Sequence, residues 1–275
     1  MEAPSKKDTE IAVLMTCFNR RDLTLDCLRR LFSQKLPEGT NLRVTLVDDG
    51  STDGTAASVK AEFPEVTVLE GDGNLYWCGG MRKAWAHAAL ADPDYYLLLN
   101  DDTVLEPNAI SELLSIVGSP EQRRIAIAAI RDPDSQRISY GGVRLEGGKA
   151  PANGSPSPCD TFNANCVLVP QAVYQEMGMF HTTYTHAMGD TDYGLQARKR
   201  GIDLFQSGRA LGTCPNNPPT NTWRDSSMSR AARFKVLQSP KGLPFREWME
   251  FNRRNTGWKW PYYTVSPILR ILLGR

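Results

Sequence analysis

Residues 97–107 read Leu-Leu-Leu-Asn-Asp-Asp-Thr-Val-Leu-Glu-Pro, and no other segment narrows the choice of fold as far. The apolar run is short enough for a buried strand, it delivers Asp101 and Asp102 to its end, and Pro107 then opens a helix. Two adjacent ionised carboxylates repel each other. A divalent cation or a ribose diol draws such a pair together, and hard oxygen ligands suit Mg²⁺ or Mn²⁺. Open α/β sheets bind ligands at the carboxyl ends of their strands, so the placement agrees with the chemistry. For this segment taken alone, a solvated turn is the competing explanation.

A second acidic strand end weighs against the solvated turn. Residues 42–55, LRVTLVDDGSTDGT, give another buried strand ending in Asp48 and Asp49, then a Gly turn and a Ser/Thr/Asp cluster able to cap a helix. The first strand, near residues 11–15, runs into Thr16, Cys17, Phe18, Asn19 and Arg20. Three strand ends thus offer hydroxyls, a ring and carboxylates, the set a nucleoside diphosphate with its cation requires. The stretch from Gly71 to Arg82 leads into the third crossover helix. Gly79 and Gly80 permit close backbone approach and Arg82 falls in the expected first turn, so a diphosphate is expected there. An ion pair from Arg82 to a strand-end carboxylate is the alternative. The stretch is neither a Gly-x-Gly-x-x-Gly fingerprint nor a P-loop.

Strands near 11–16, 42–48, 66–70 and 95–99 alternate with helices near 21–34, 53–63, 79–91 and 107–118, which predicts a mainly parallel sheet with helices on both faces. A fifth strand is expected at 125–130, a hairpin at 137–145 around Gly141-Gly142, and a Gly/Pro/Ser loop at 147–158. Next come a strand at 162–169 and a helix from Pro170 to about Met177. A helix at 190–199 closed by Gly201 and a short strand at 202–206 complete the pattern. The chain of 275 residues carries a net charge of +1, which gives no reason to expect a nucleic-acid partner. Its six cysteines include no Cys-x-x-Cys pair and its three histidines lack zinc spacing, so free thiols in a reducing cytosol are expected. The polar start, residues 1–10, does not read as a signal peptide, and no run of about 18 apolar residues could span a bilayer.

VLMTCFNRRDLTLDCLRRL, VTLVDDGSTDGT, LLLNDDTVLEP and GDTDYGLQARKRG stand in the order and at the spacings of family 2 glycosyltransferases with the GT-A fold, and the resemblance covers residues 10–215. The set looks most like bacterial transferases that build surface polysaccharides, including the rhamnosyltransferase-like branch. The resemblance implies an α/β nucleotide-diphospho-sugar transferase fold with a small C-terminal helical appendage. A catalytic domain at 1–223 would divide into a nucleotide half at about 10–118 and an acceptor half at about 119–223, with the appendage at 224–275. Asn216 to Thr222 reads as the loop between them.

Carried onto matching positions, the resemblance implies that Thr16 bonds the base, Phe18 covers its face and Asp49 accepts from its imide N–H. Ordinary core is the alternative for Phe18, and Asp48 could instead orient the loop through backbone N–H groups. Arg20, Gly79, Gly80, Arg82, Asn100 and Asp101 complete the nucleotide-binding set. Asp102 aligns with the metal-binding carboxylate and Asn100 stands where many relatives have a third one. Relatives also supply a late His near residues 212–216, where this chain offers Cys214 or Asn216. Asp190 aligns with the general base, Gly189 replacing the usual Glu, with a helix N-cap as its structural alternative. Asp192 fits the helix dipole. His181 and His186 read as acceptor-side or structural.

The implied activity is metal-dependent, inverting transfer of a hexosyl or deoxyhexosyl group from a UDP- or dTDP-sugar to a hydroxyl of a lipid-linked saccharide. A sugar-phosphate nucleotidyltransferase and a non-catalytic nucleotide-sugar-binding module are the alternatives. The segment 224–275 holds 11 Lys/Arg against 3 Asp/Glu and is rich in aromatics, whereas the preceding 223 residues carry a net charge of −7. That asymmetry suggests peripheral contact with the inner face of the plasma membrane by an otherwise cytoplasmic protein. A helical pair packed on the catalytic domain, with merely solvated cations, is the alternative.

Overall fold

The computed structural model describes residues 8–216 and 220–274. The start of the chain at 1–7 and the middle of the expected 216–222 loop lie outside those residues. In chain order the first half contains β1 (Thr9–Cys17), α1 (Arg21–Phe32), β2 (Thr40–Asp48), α2 (Thr55–Glu62), β3 (Thr67–Glu70), α3 (Tyr76–Ala88), β4 (Tyr95–Leu99), β5 (Val104–Leu105) and α4 (Ala109–Val117). Then come β6 (Arg124–Arg131), β7 (Ile138–Tyr140), β8 (Gly142–Arg144), β9 (Gly148–Lys149), β10 (Ser157–Pro158), β11 (Thr161–Phe162), β12 (Cys166–Pro170) and α5 (Gln171–Met177). The chain ends with α6 (Gly189–Lys199), β13 (Asp203–Thr213), α7 (Arg230–Leu237), α8 (Phe245–Asn255) and α9 (Trp260–Leu272).

The main sheet has the order β10-β13-β6-β12-β4-β1-β2-β3, with β5 added to β13 and β7 to β6. Strands β4, β1, β2 and β3 are parallel, and β12 enters antiparallel between β4 and β6. Continuous apolar runs form these central strands because both faces are covered. In β1, Ile11, Val13 and Met15 face the layer of α1, α2 and α4, while Ala12 and Leu14 face α3, α5 and α6. β4 divides the same way, with Leu97 and Leu99 on one face and Tyr96 and Leu98 on the other. After β1, β2 and β3 run outward on one side and β4 returns on the other, so the topological switch point lies between β1 and β4.

The structure corrects three local expectations. Residues 137–145 do not form a hairpin: β7 pairs with β6, while β8 joins β9 and β11 in a separate small sheet. Gly141, at φ 136°, makes the exchange, and a Cβ there would lie 2.5 Å from Gln206 Oε1. β13 continues to Thr213 through two register irregularities, since the buried Gln206 and Ser207 find partners: Gln206 accepts from Gly142 N–H at 2.8 Å and Ser207 Oγ from Ala129 N–H at 2.9 Å. Finally, α3 starts at Tyr76, not near Gly79, so Arg82 sits in its second turn.

The three C-terminal helices pack on the α3 and α6 layer through α8. Arg254 Nε lies 3.0 Å and 3.1 Å from the two Asp192 oxygens, and Asn255 Nδ2 donates to the same carboxylate at 2.7 Å. Glu247 accepts from Thr185 N–H at 3.1 Å and from its hydroxyl at 2.7 Å. Leu243, Trp248 and Phe251 cover Cys78, Tyr184 and Met188. Among the described residues no helix is long and apolar enough to cross a membrane. All six cysteines are free thiols.

Candidate functional site

At the switch point the turn after β1 faces the turn after β4. Arg20 Nη1 donates to Asp102 Oδ2 at 2.7 Å and to Asp101 Oδ1 at 3.2 Å. Asp101 Oδ2 is buried with no partner, and burial raises that carboxyl to about 7 against the pull of Arg20. Cys214, at the end of β13, brings Sγ to 3.6 Å from Asp102 Oδ1. Burial first, and then Asp102, push its thiol up to about 12. The backbone N–H of Asn216 donates to Asp132 at 2.8 Å. Asn100 accepts from Trp77 Nε1 at 2.8 Å, so its side chain supports the start of α3.

Asp48 and Asp49 are both buried. Asp48 Oδ1 accepts from Ser51 N–H at 2.9 Å. Asp49 receives three amides of the next loop, from Gly73 at 3.0 Å, Leu75 at 3.3 Å and Tyr76 at 2.8 Å. Loop organisation, expected of Asp48, therefore falls mainly to Asp49. Thr16 packs against α3, where a Cβ on Gly80 would lie 2.2 Å from its Oγ1. Phe18 is 53% exposed, which removes the core alternative for this ring.

Two of the amides at the start of α3, where an anion seat is expected, already have protein partners. Tyr76 N–H is bound by Asp49 and Cys78 N–H by Thr185 O at 3.0 Å. Among the described residues Arg82 makes no ion pair, the alternative weighed for it; its Nη1 donates to the carbonyls of Tyr184 at 2.6 Å and His181 at 3.2 Å, fixing the loop before α6.

That loop leads to Asp190. The αL residue Met188, φ 70°, begins the helix, so Asp190 lies within its first turn and is not the N-cap. Its Oδ1 accepts from Thr191 N–H at 2.7 Å and its Oδ2 from Ala164 N–H at 3.1 Å. Burial nevertheless holds the carboxyl above its ordinary value. Gly189 is required by space, since a Cβ would meet Cys78 Sγ at 2.4 Å. Burial, with Lys241 and Arg20 nearby, lowers His186 to about 4 and keeps its ring neutral near pH 7.

Residues 12–147, about half of the chain, match the family model for glycosyl transferase family 2. Residues 12–147 form a glycosyl transferase family 2 domain. An N-acetylglucosaminyl-diphospho-decaprenol L-rhamnosyltransferase of Mycobacterium tuberculosis is 25% identical over 203 residues, covering 63% of this chain. The chain spans 66% of that relative's length, just under two thirds. Among solved structures, the mannosyltransferase PcManGT of Pyrobaculum calidifontis, in complex with GDP-Man and Mn²⁺, aligns over 97% of this chain and 74% of its own. Its TM-score is 0.58 at 15% identity. S. aureus TarS (residues 1–349) in complex with UDP-GlcNAc aligns over 97% of this chain and 81% of its own, with a TM-score of 0.59 at 12% identity. The fold of the chain is therefore GT-A.

Among the described residues, no three His, Cys, Asp or Glu side chains converge as a metal cluster. Asp102 and the unpartnered Asp101 oxygen still fit a hard divalent cation, which commonly completes its shell with substrate phosphate and water. Protonated Cys214 is a weak donor beside them. Sequence reasoning missed Asn19, whose Oδ1 accepts from Thr52 N–H at 2.7 Å while its own N–H donates to Ser51 Oγ at 2.8 Å. Its place in a polar strand end was the available signal. It also missed Lys149, which donates to Asn163 at 2.7 Å, next to the Ala164 amide that binds Asp190. Nothing in the 147–158 loop composition marks that residue.

Proposed function

We propose that this chain transfers a sugar, with inversion, from a UDP- or dTDP-sugar to a hydroxyl of a lipid-linked saccharide. The observation that carries the reading is the bridge from Arg20 to Asp101 and Asp102 at the β1/β4 switch point. In the nucleotide half, Phe18 covers the base and Thr16 borders it. Asp49 is occupied by three amides, so Asp48 is the better acceptor for a pyrimidine imide. Asp101 faces the ribose, and Arg20 turns from the carboxylates toward the diphosphate when donor binds. Asp102, with Asp101 beside it, would hold Mg²⁺ or Mn²⁺, which supplies charge neutralisation for the departing diphosphate.

Asp190 accepts the proton of the acceptor hydroxyl as its oxygen attacks the anomeric carbon. The new C–O bond forms as the bond to the nucleoside diphosphate breaks on the opposite face, so configuration inverts. A raised Asp190 suits this part, because a base holds a proton better when its pKa moves toward the working pH. The name of the mycobacterial relative specifies a decaprenol-linked acceptor, which supports the acceptor class and peripheral contact of 224–275 with a membrane. Incubation with UDP- and dTDP-sugars and a synthetic lipid-linked saccharide, followed by NMR of the new anomeric centre, tests the reading. Retention of configuration refutes it. Release of diphosphate from a sugar 1-phosphate and a nucleoside triphosphate would favour a nucleotidyltransferase instead.

A further inference from the structure

Exposed large apolar side chains are distributed unevenly. Of the 14 among the described residues, nine lie between Phe234 and Leu273, and six of those nine form one continuous band. Tyr262 (67% exposed), Val265, Leu269, Leu272 and Leu273 recur at helical spacing along α9 and its C-cap. Trp258, 85% exposed, extends the band at its N-terminal end. The opposite face of α9, Thr264, Pro267 and Ile271, is buried against the neighbouring helices. The helix is therefore already packed and still shows apolar residues to solvent. Scattered single hydrophobics need no explanation; a continuous band with its partner missing does.

Charge selects the partner. The acids of the appendage are committed: Glu247 to Thr185, Glu250 to Arg253 at 2.8 Å, and Asp225 to Ser227 at 2.6 Å. Lys259 and Arg270, which adjoin the band at the start and end of α9, are exposed. A second copy of the same surface would bring these cations together, and like charges oppose that contact. An anionic surface with an apolar interior matches both the band and its rim. Building on the membrane contact proposed above, we propose that the Trp258–Tyr262–Val265–Leu269–Leu272–Leu273 face is an insertion surface for an anionic lipid bilayer.

Flotation of the full chain with vesicles of phosphatidylcholine, alone or mixed with phosphatidylglycerol, tests this. The wild type should float with mixed vesicles, float poorly with neutral ones, and lose binding as salt rises. Tyr262→Ser/Leu269→Ser keeps the net charge and should reduce bound protein at least tenfold, with unfolding temperature within a few degrees of wild type. Lys259→Gln/Arg270→Gln should weaken binding only to anionic vesicles. Equal flotation of wild type and the Ser variant, indifference to the anionic lipid, or a dimer in light scattering that the Ser variant dissolves would each overturn the assignment. Sugar transfer is measured separately on a water-soluble acceptor. Failure there refutes the catalytic reading and leaves the flotation result standing.

Discussion

One guanidinium nitrogen, Arg20 Nη1, stands 2.7 Å from Asp102 and 3.2 Å from Asp101, holding together the two carboxylates that follow β4. The protein carries its own cation where a divalent one is proposed to sit. A donor and metal bound as proposed would share that place with Arg20 or move it.

Asp102→Ala should therefore abolish the metal-dependent part of UDP or dTDP affinity, measured by calorimetry with Mn²⁺ and with chelator. Asn100→Ala should be milder. It removes the acceptor for Trp77 Nε1, a loss of about 1 kcal/mol in stability. Donor affinity that chelator leaves unchanged would count against the metal assignment.

Asp190→Asn should retain donor binding and lose ~10²–10⁴-fold in turnover, the usual range for a general base. Burial raises this carboxyl in the folded protein, so its basic form is lost as pH falls through a value above the ordinary Asp range. The acid limb of the kcat profile should lie correspondingly high and be absent from the Asn variant. Near wild-type turnover in Asp190→Asn would leave the carboxylate a purely structural part.

Arg254→Ala should destabilise the chain by about 3 kcal/mol in chemical denaturation, because a buried carboxylate loses its charged partner. Asn255 still donates to Asp192, which keeps the loss at the low end of such cases. Arg254→Lys should recover only part, since an ammonium cannot match two oxygens as a planar guanidinium does. A change below about 0.5 kcal/mol would show that the Arg254–Asp192 pair adds little to the hold on α8.

Gly80→Ala should cost about 1–3 kcal/mol by overpacking, as its methyl would meet Thr16 Oγ1 at 2.2 Å and Cβ at 2.8 Å. Because α3 would lift from β1, donor affinity should fall with it. Adding Thr16→Ala should restore part of the stability. Unaltered melting of the single variant would exclude the close helix–strand approach.

What was legible in the sequence was local. β1 and β4 carry continuous apolar runs and β2 is buried from Val44 onward, and their polar ends mark where the sheet meets solvent. The partners of those ends are distant and left no such mark. Asp49 is filled by amides 24 to 27 residues onward, so the two aspartates could not be told apart by position. Gly141-Gly142 looks like a turn, yet Gln206, 64 residues later, captures the Gly142 amide and sends the chain into a second sheet. Ser207 and Gly208 look like a strand end, but Ser207 Oγ continues the pairing in place of a regular ladder. The αL start of α6 at Met188 was likewise hidden, because methionine gives no hint of positive φ.

The bonds from Glu247 to Thr185 and from Arg254 to Asp192 mean that the appendage cannot be trimmed like a tag. A shortened chain would leave the Thr185 amide and the Asp192 carboxylate without their main partners, and the loop that delivers Asp190 would lose its outer wall. Removing the tail would therefore alter the candidate site as well as the proposed membrane contact. On a bilayer, the surface that finds the acceptor and the scaffold that shapes its pocket would be the same few helices. Location would then govern how often acceptor is met and leave each encounter's chemistry the same.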